Sequence, residues 1–275
     1  MSSSIPCCSG IVNPGIPQGK EDSIAGINCY VSNNTPTNSD TALIIATDVF
    51  GYKLSNPRIM CDSYAEATGF YSIVPDFFEG AELPESVMKS VDTFKSDQSS
   101  YLDKAFGFGN FVVQWPLFLL RNSATDSVNR IKKIIDTLKA DKGIKKVVLV
   151  GYCWGGAVGI FLAQEPDYVD AVVSCHPGSF KIPGDVEKLI KPVYFVMAEK
   201  DFLISEAQAN VIRDTLKKKD ENGGYPHLFK WYIGMEHGFA VRGDGSDPEV
   251  KKSTLDAFQT SVDFLREQLA KLNKN

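Results

Sequence analysis

No two cysteines in the chain have the Cys-x-x-Cys spacing. The six lie at positions 7, 8, 29, 61, 153 and 175, so zinc-ligand and redox-pair patterns are absent. Positive charge is not in excess either. Lys and Arg number 29 against 34 Asp and Glu, giving a net charge of −5 and a pI near 5.3. That balance argues against a broad nucleic-acid surface and against affinity for anionic membranes. No Walker loop, dinucleotide fingerprint or metal-ligand cluster occurs, so neither cofactor nor metal is expected. Met1 to Gly10 has no basic segment followed by an apolar core and does not read as a secretory leader. Position 2 is Ser rather than Gly, and no prenylation motif ends the chain. The expected compartment is reducing, most simply the cytosol. Val147 to Gln164 is uncharged and mostly apolar. It falls short of the roughly 20 residues of a membrane span, and Gly151, Gly155, Gly156 and Gly159 interrupt it. It reads as a buried strand, a tight turn and a buried helix.

What is present is an ordinary folded composition, 43% hydrophobic and 23% charged over 275 residues. That excludes a largely disordered chain and needs no disulfide or metal to fold. Residues 1–22 are rich in Ser, Gly and Pro and read as an irregular arm carrying Cys7 and Cys8. Residues 23–275 read as one domain. Strand-like runs appear at 42–46, 70–75, 147–150, 169–174, 193–197 and 229–233. Val128, Ile131, Ile134, Ile135 and Leu138 share one helical face, with Gly143 beyond it. Leu255, Phe258, Val262, Leu265, Leu269 and Leu272 form a second stripe. Strands alternating with helices imply an α/β fold, a mostly parallel sheet covered on both faces. Sites in such folds lie at the carboxyl ends of the strands. One region breaks the alternation. The aromatic stretch 106–120 contains Pro116 and reads as a core helix broken by proline, or else as a flap over a site, with core preferred.

The strongest local signal is Gly151-Tyr152-Cys153-Trp154-Gly155-Gly156, directly after the strand 147–150. It has the spacing of the G-x-S-x-G nucleophile elbow with Cys in the Ser position. A nucleophile in so sharp a turn needs tiny neighbours two residues away. The helix that follows presents free N–H groups to a thiolate or an oxyanion. Asp201 follows the strand 193–197, and His237 follows the strand 229–233. The order nucleophile, acid, histidine is that of the α/β-hydrolase fold. Cys153 is therefore expected to attack a carbonyl and form a thioester, His237 to take its proton and then activate water, and Asp201 to orient the imidazole. Glu199 is a rival for Asp201 but lies less far into the loop. His176 also sits on the carboxyl edge of the sheet and could line a pocket. His227 precedes a strand and reads as structural.

The elbow, Asp201 and His237-Gly-Phe-Ala-Val-Arg242 resemble the dienelactone hydrolase (carboxymethylenebutenolidase) family, as do Thr47-Asp-Val-Phe-Gly51 and Gly69-Phe-Tyr-Ser-Ile-Val-Pro-Asp76. The likeness covers roughly residues 23–272. The Cys-Cys arm and Asp-Val-Phe-Gly are similar to its eukaryotic branch. The resemblance implies an α/β-hydrolase fold. It further implies that Asp48 stands where bacterial members carry a switching Glu, and that the N–H groups of Val49 and Trp154 form an oxyanion hole. Arg242 would bind a substrate carboxylate; the alternative for it is a surface arginine paired with Asp244. The family's second carboxylate-binding arginine has no counterpart here.

The expected activity is cleavage of a lactone or small carboxylic ester by a cysteine triad, and Arg242 hints at an anionic substrate. A glycosidase acting on β-glucan would need two facing carboxyls, for which Asp48 and Asp201 are the candidates. A ligand-binding or thiol redox protein built around Cys153 is the third reading.

Overall fold

The computed structural model describes residues 11–88, 101–224 and 226–272; Cys7 and Cys8 lie outside them. Eight strands form one sheet: β1 (Lys20–Ile24), β2 (Ile27–Val31), β3 (Asn38–Ala46), β4 (Phe70–Pro75), β5 (Lys146–Tyr152), β6 (Ala171–Cys175), β7 (Val193–Lys200) and β8 (Leu228–Glu236). Their order is β1-β2-β4-β3-β5-β6-β7-β8. The sheet is parallel from β4 to β8, and β2 pairs antiparallel with β1 and β4. The sequence carries no apolar run at β1, which begins at Lys20 inside the segment read as irregular. What makes it a strand is the two-residue hairpin at Ala25 and Gly26, both at positive φ, the backbone that matches the twist of paired strands.

The central strands are apolar on both faces because helices cover both. Val147 and Leu149 of β5 face one core, and Val148 and Val150 face the other. The second core packs against helix α1 (Ser55–Thr68), which ends at Gly69 with φ 71°, a left-handed C-terminus suited to glycine. The first core is covered by α3 (Ala124–Lys142). The side chain of Ser123 caps its first turn, Gly143 ends it at φ 67°, and its buried face is the apolar stripe read from the sequence.

Two stretches depart from expectation. In the last helix (Pro248–Leu272) Val262, Leu265 and Leu269 are buried, but Leu255 and Leu272 are 58% and 41% exposed. A 3-4-3-4 repeat drifts by about 20° per heptad against an α-helix, so the stripe faces the sheet in its middle and rotates away at its ends. The stretch 106–120 belongs to helix α2 (Tyr101–Arg121), which continues through Pro116. It is not core. Among its described side chains only Phe118 is buried, while Val112, Val113, Leu117, Leu119 and Leu120 are exposed. Its apolar residues are spread around the axis, and a helix lying on the surface can bury only one stripe.

Candidate active site

Parallel register places the elbow. Ala46 of β3 lies opposite Gly151 of β5, and Tyr152 lies opposite Cys175 of β6. Cys153 is the next residue, at φ 50° and ψ −112°. A non-glycine residue there costs on the order of 1–3 kcal/mol and persists only where its surroundings enforce it. Here they do. The Cys153 N–H donates to the Cys175 carbonyl at 3.1 Å, and its own carbonyl accepts from Gly178 N–H at 2.7 Å. A Cβ at Gly151 would overlap the Gly155 carbonyl, and one at Gly155 would overlap the Ala46 carbonyl. The helix α4 (Trp154–Leu162) starts immediately after the sulfur-bearing residue. Among the described residues the N–H groups of Val49 and Trp154 donate to no backbone carbonyl.

Asp201 and His237 meet by the same logic. Lys200 pairs with Glu236 across β7 and β8, so the residue after each strand faces its counterpart. His237 Nδ1 lies 2.8 Å from Asp201 Oδ2, with both side chains wholly buried. The other carboxylate oxygen accepts from Leu203 N–H at 2.8 Å, which fixes the acid. Glu199 instead accepts from Gly234 N–H at 2.7 Å on the exposed side. Burial pulls the imidazole pKa down. The charge of the nearby Cys153, the hydrogen bond that His237 gives Asp201 and the charge of Asp201 together outweigh it and raise the value to about 9. The rings of Phe202 and His176 pack beside His237, at 5.0 Å and 4.9 Å between centroids.

His176 is fully buried at φ 34°. Burial, then the charges of His237 and Arg242, hold its pKa far below the ordinary value, so it stays neutral. His227 accepts from Val193 N–H at 3.1 Å, and burial and Lys219 lower its pKa to about 4.

Asp48 and Arg242 are brought together, not held apart. Arg242 Nε donates to Asp48 Oδ2 at 2.6 Å, and both side chains are buried. Asp48 Oδ1 accepts from Phe50 N–H at 3.0 Å, and the guanidinium lies 5.0 Å from the Phe50 ring centroid. Arg242 is therefore not a surface arginine paired with Asp244, whose Oδ1 accepts from Ser246. Neither member of the pair lines the cavity that holds Cys153. That cavity is about 360 Å³ and is lined by Val49, Cys153, Trp154, Ala157, Gly178, Ser179 and Leu203, with Trp115 and Leu119 of α2 and Ala124 of α3. The aromatic stretch gave a signal for Trp115. Nothing in the sequence singled out Leu203 or Ser179. Among the described residues no group of three or more His, Cys, Asp or Glu could hold a metal ion.

A model of the dienelactone hydrolase family matches residues 28–269. The chain belongs to that family. Relatives include a carboxymethylenebutenolidase homolog of Rattus norvegicus, 30% identical over 82% of this chain and 80% of its own. Hydrolase tropI of Talaromyces stipitatus is 25% identical over 96% of this chain and 95% of its own. Among solved structures, a putative dienelactone hydrolase from Klebsiella pneumoniae superposes with a TM-score of 0.66 at 16% identity, covering 89% of this chain and 96% of that one. This last likeness speaks to the α/β-hydrolase fold alone. The family makes the chain a hydrolase of dienelactone hydrolase type.

Proposed function

We propose that the protein cleaves a lactone or small carboxylic ester through Cys153, His237 and Asp201. The observation that carries this is the 2.8 Å contact of His237 with Asp201 in a buried setting where the Cys153 thiol acts on the same ring. With Nδ1–H given to Asp201, the other ring nitrogen serves the sulfur. An imidazolium that persists to about pH 9 beside Cys153 favours a thiolate partner before substrate arrives. The sulfur attacks the carbonyl carbon. The N–H groups of Val49 and Trp154 stabilise the oxyanion that forms. Collapse of that intermediate gives a thioester and expels an alkoxide, which takes the imidazolium proton. Water then loses a proton to the neutral imidazole as it attacks the thioester. The acid is released, and thiolate and imidazolium are restored.

Asp48, engaged by Arg242, braces the loop that carries Val49 rather than acting as a switching carboxylate. The buried free thiols of Cys29, Cys61, Cys153 and Cys175 favour a reducing compartment such as the cytosol. A glycosidase would need two free carboxyls facing each other about 5–10 Å apart, and Asp48 and Asp201 are each already paired.

Cys153→Ala is expected to abolish hydrolysis of p-nitrophenyl acetate while circular dichroism stays unchanged. Undiminished turnover in that variant would remove the assignment.

A further inference from the structure

We infer that the substrate's acyl group is neutral and apolar, aromatic or branched, and that the site discriminates against a carboxylated one. This rests on the hydrolase reading above and narrows its substrate class. Among the described residues lining the Cys153 cavity, none carries a charge. The one indole N–H that could serve as a donor in the Trp154 wall is already given to Ser127 Oγ at 3.0 Å. Trp154 and Phe118 meet edge to face at 5.3 Å, and Trp115 stacks on Phe118 at 5.8 Å. One wall is thus a fixed aromatic surface. Leu119 lines the cavity and is also 48% exposed, so the apolar surface runs from the cavity to the outside.

The cation that could have received a carboxylate is withheld. Arg242 is buried and turned to Asp48 at 2.6 Å. It borders the cavity on the far side of His237, with Lys200, Glu236 and Asp244, and not the one that holds Cys153. An ionised carboxylate entering the Cys153 cavity would lose its hydration and meet no cation among the described lining residues, an unfavourable exchange for a buried charge. An aryl or alkyl group would gain contact with Trp115, Leu119 and Leu203. At about 360 Å³ the cavity lies at the small end of ligand sites, which fits a compact acyl group.

The test compares two esters of nearly equal shape, p-nitrophenyl butyrate and mono-p-nitrophenyl succinate, at pH 7.5, with the Cys153 acyl adduct followed by mass spectrometry. The butyrate is expected to be favoured in kcat/KM by about 100-fold, as an unpaired buried charge implies. In Leu119→Arg, on the exposed rim, that ratio is expected to narrow at least about tenfold through turnover of the succinate, given a guanidinium–carboxylate pair. Equal or better use of the succinate through a Cys153 adduct would overturn this inference and leave the cysteine mechanism standing. Hydrolysis of both esters with no adduct and no loss in Cys153→Ala would overturn the mechanism and this inference together.

Discussion

Titrating the histidine rings puts the electrostatics of the site to a direct test. The chain has three histidines, and their environments push them apart. Burial holds His176 far below its ordinary range, and His227 is lowered to about 4. His237 alone is raised, to about 9 against an ordinary 6.5. At about 1.4 kcal/mol per unit, that is a net preference for the imidazolium of ~3 kcal/mol. Between pH 6 and 10 a proton NMR titration should therefore show one moving ring resonance. In Cys153→Ala the largest influence raising the ring's pKa is gone, and burial is left against Asp201. The midpoint should then fall by about one unit or more. The sign carries over to catalysis. The charged ring prevails below about 9 and is lost above it, and acylation needs that proton for the leaving oxygen. The acylation rate should thus fall on the alkaline side through this value, and at lower pH in Asp201→Asn. A His237 midpoint near 6.5 in the native protein, or one that Cys153→Ala leaves in place, would refute the reasoning.

Three further outcomes are expected. Asp201→Asn should lower kcat by about 10⁴-fold, the size of effect seen when a triad loses its orienting carboxylate, with an unchanged denaturation midpoint in urea; a loss under tenfold would argue against the role given to Asp201. Gly155→Ala should destabilise the fold by about 3 kcal/mol, because the new methyl meets the Ala46 carbonyl on a backbone that cannot give way, and denaturant unfolding measures it. Arg242→Met should cost about 3–5 kcal/mol by leaving Asp48 charged and unpaired. Asp48→Leu added to it should recover much of that loss, and no recovery would show that the pair is not a closed unit.

The parts of the site that lie on the parallel strands were legible before any coordinates. The elbow, Asp201 and His237 each follow an apolar run of strand length, and the register of β7 and β8 sets Asp201 beside His237. The C-terminal glycine of α3, Gly143, was legible for a similar reason, since a left-handed helix end has a residue type of its own. β1 was not legible, because an edge strand turned to solvent carries no apolar signature. The partner of Arg242 was missed too. Asp48 is 194 residues away, and no local pattern reports a pairing across that distance. The resemblance pointed to a carboxylate-binding arginine. What it could not convey is which direction the guanidinium turns.

His237 directly follows β8, which pairs with β7 alone among the described strands and closes one margin of the sheet. Cys153 sits near its centre, directly after β5. The two halves of the reaction are thus anchored in regions of unequal robustness. Fraying of the flank would carry the imidazole off while the thiol's cradle remained intact. Under the proposed mechanism, inactivation by heat is expected to begin at this outermost ribbon and the terminal helix packed over it, while the well-packed middle still stands.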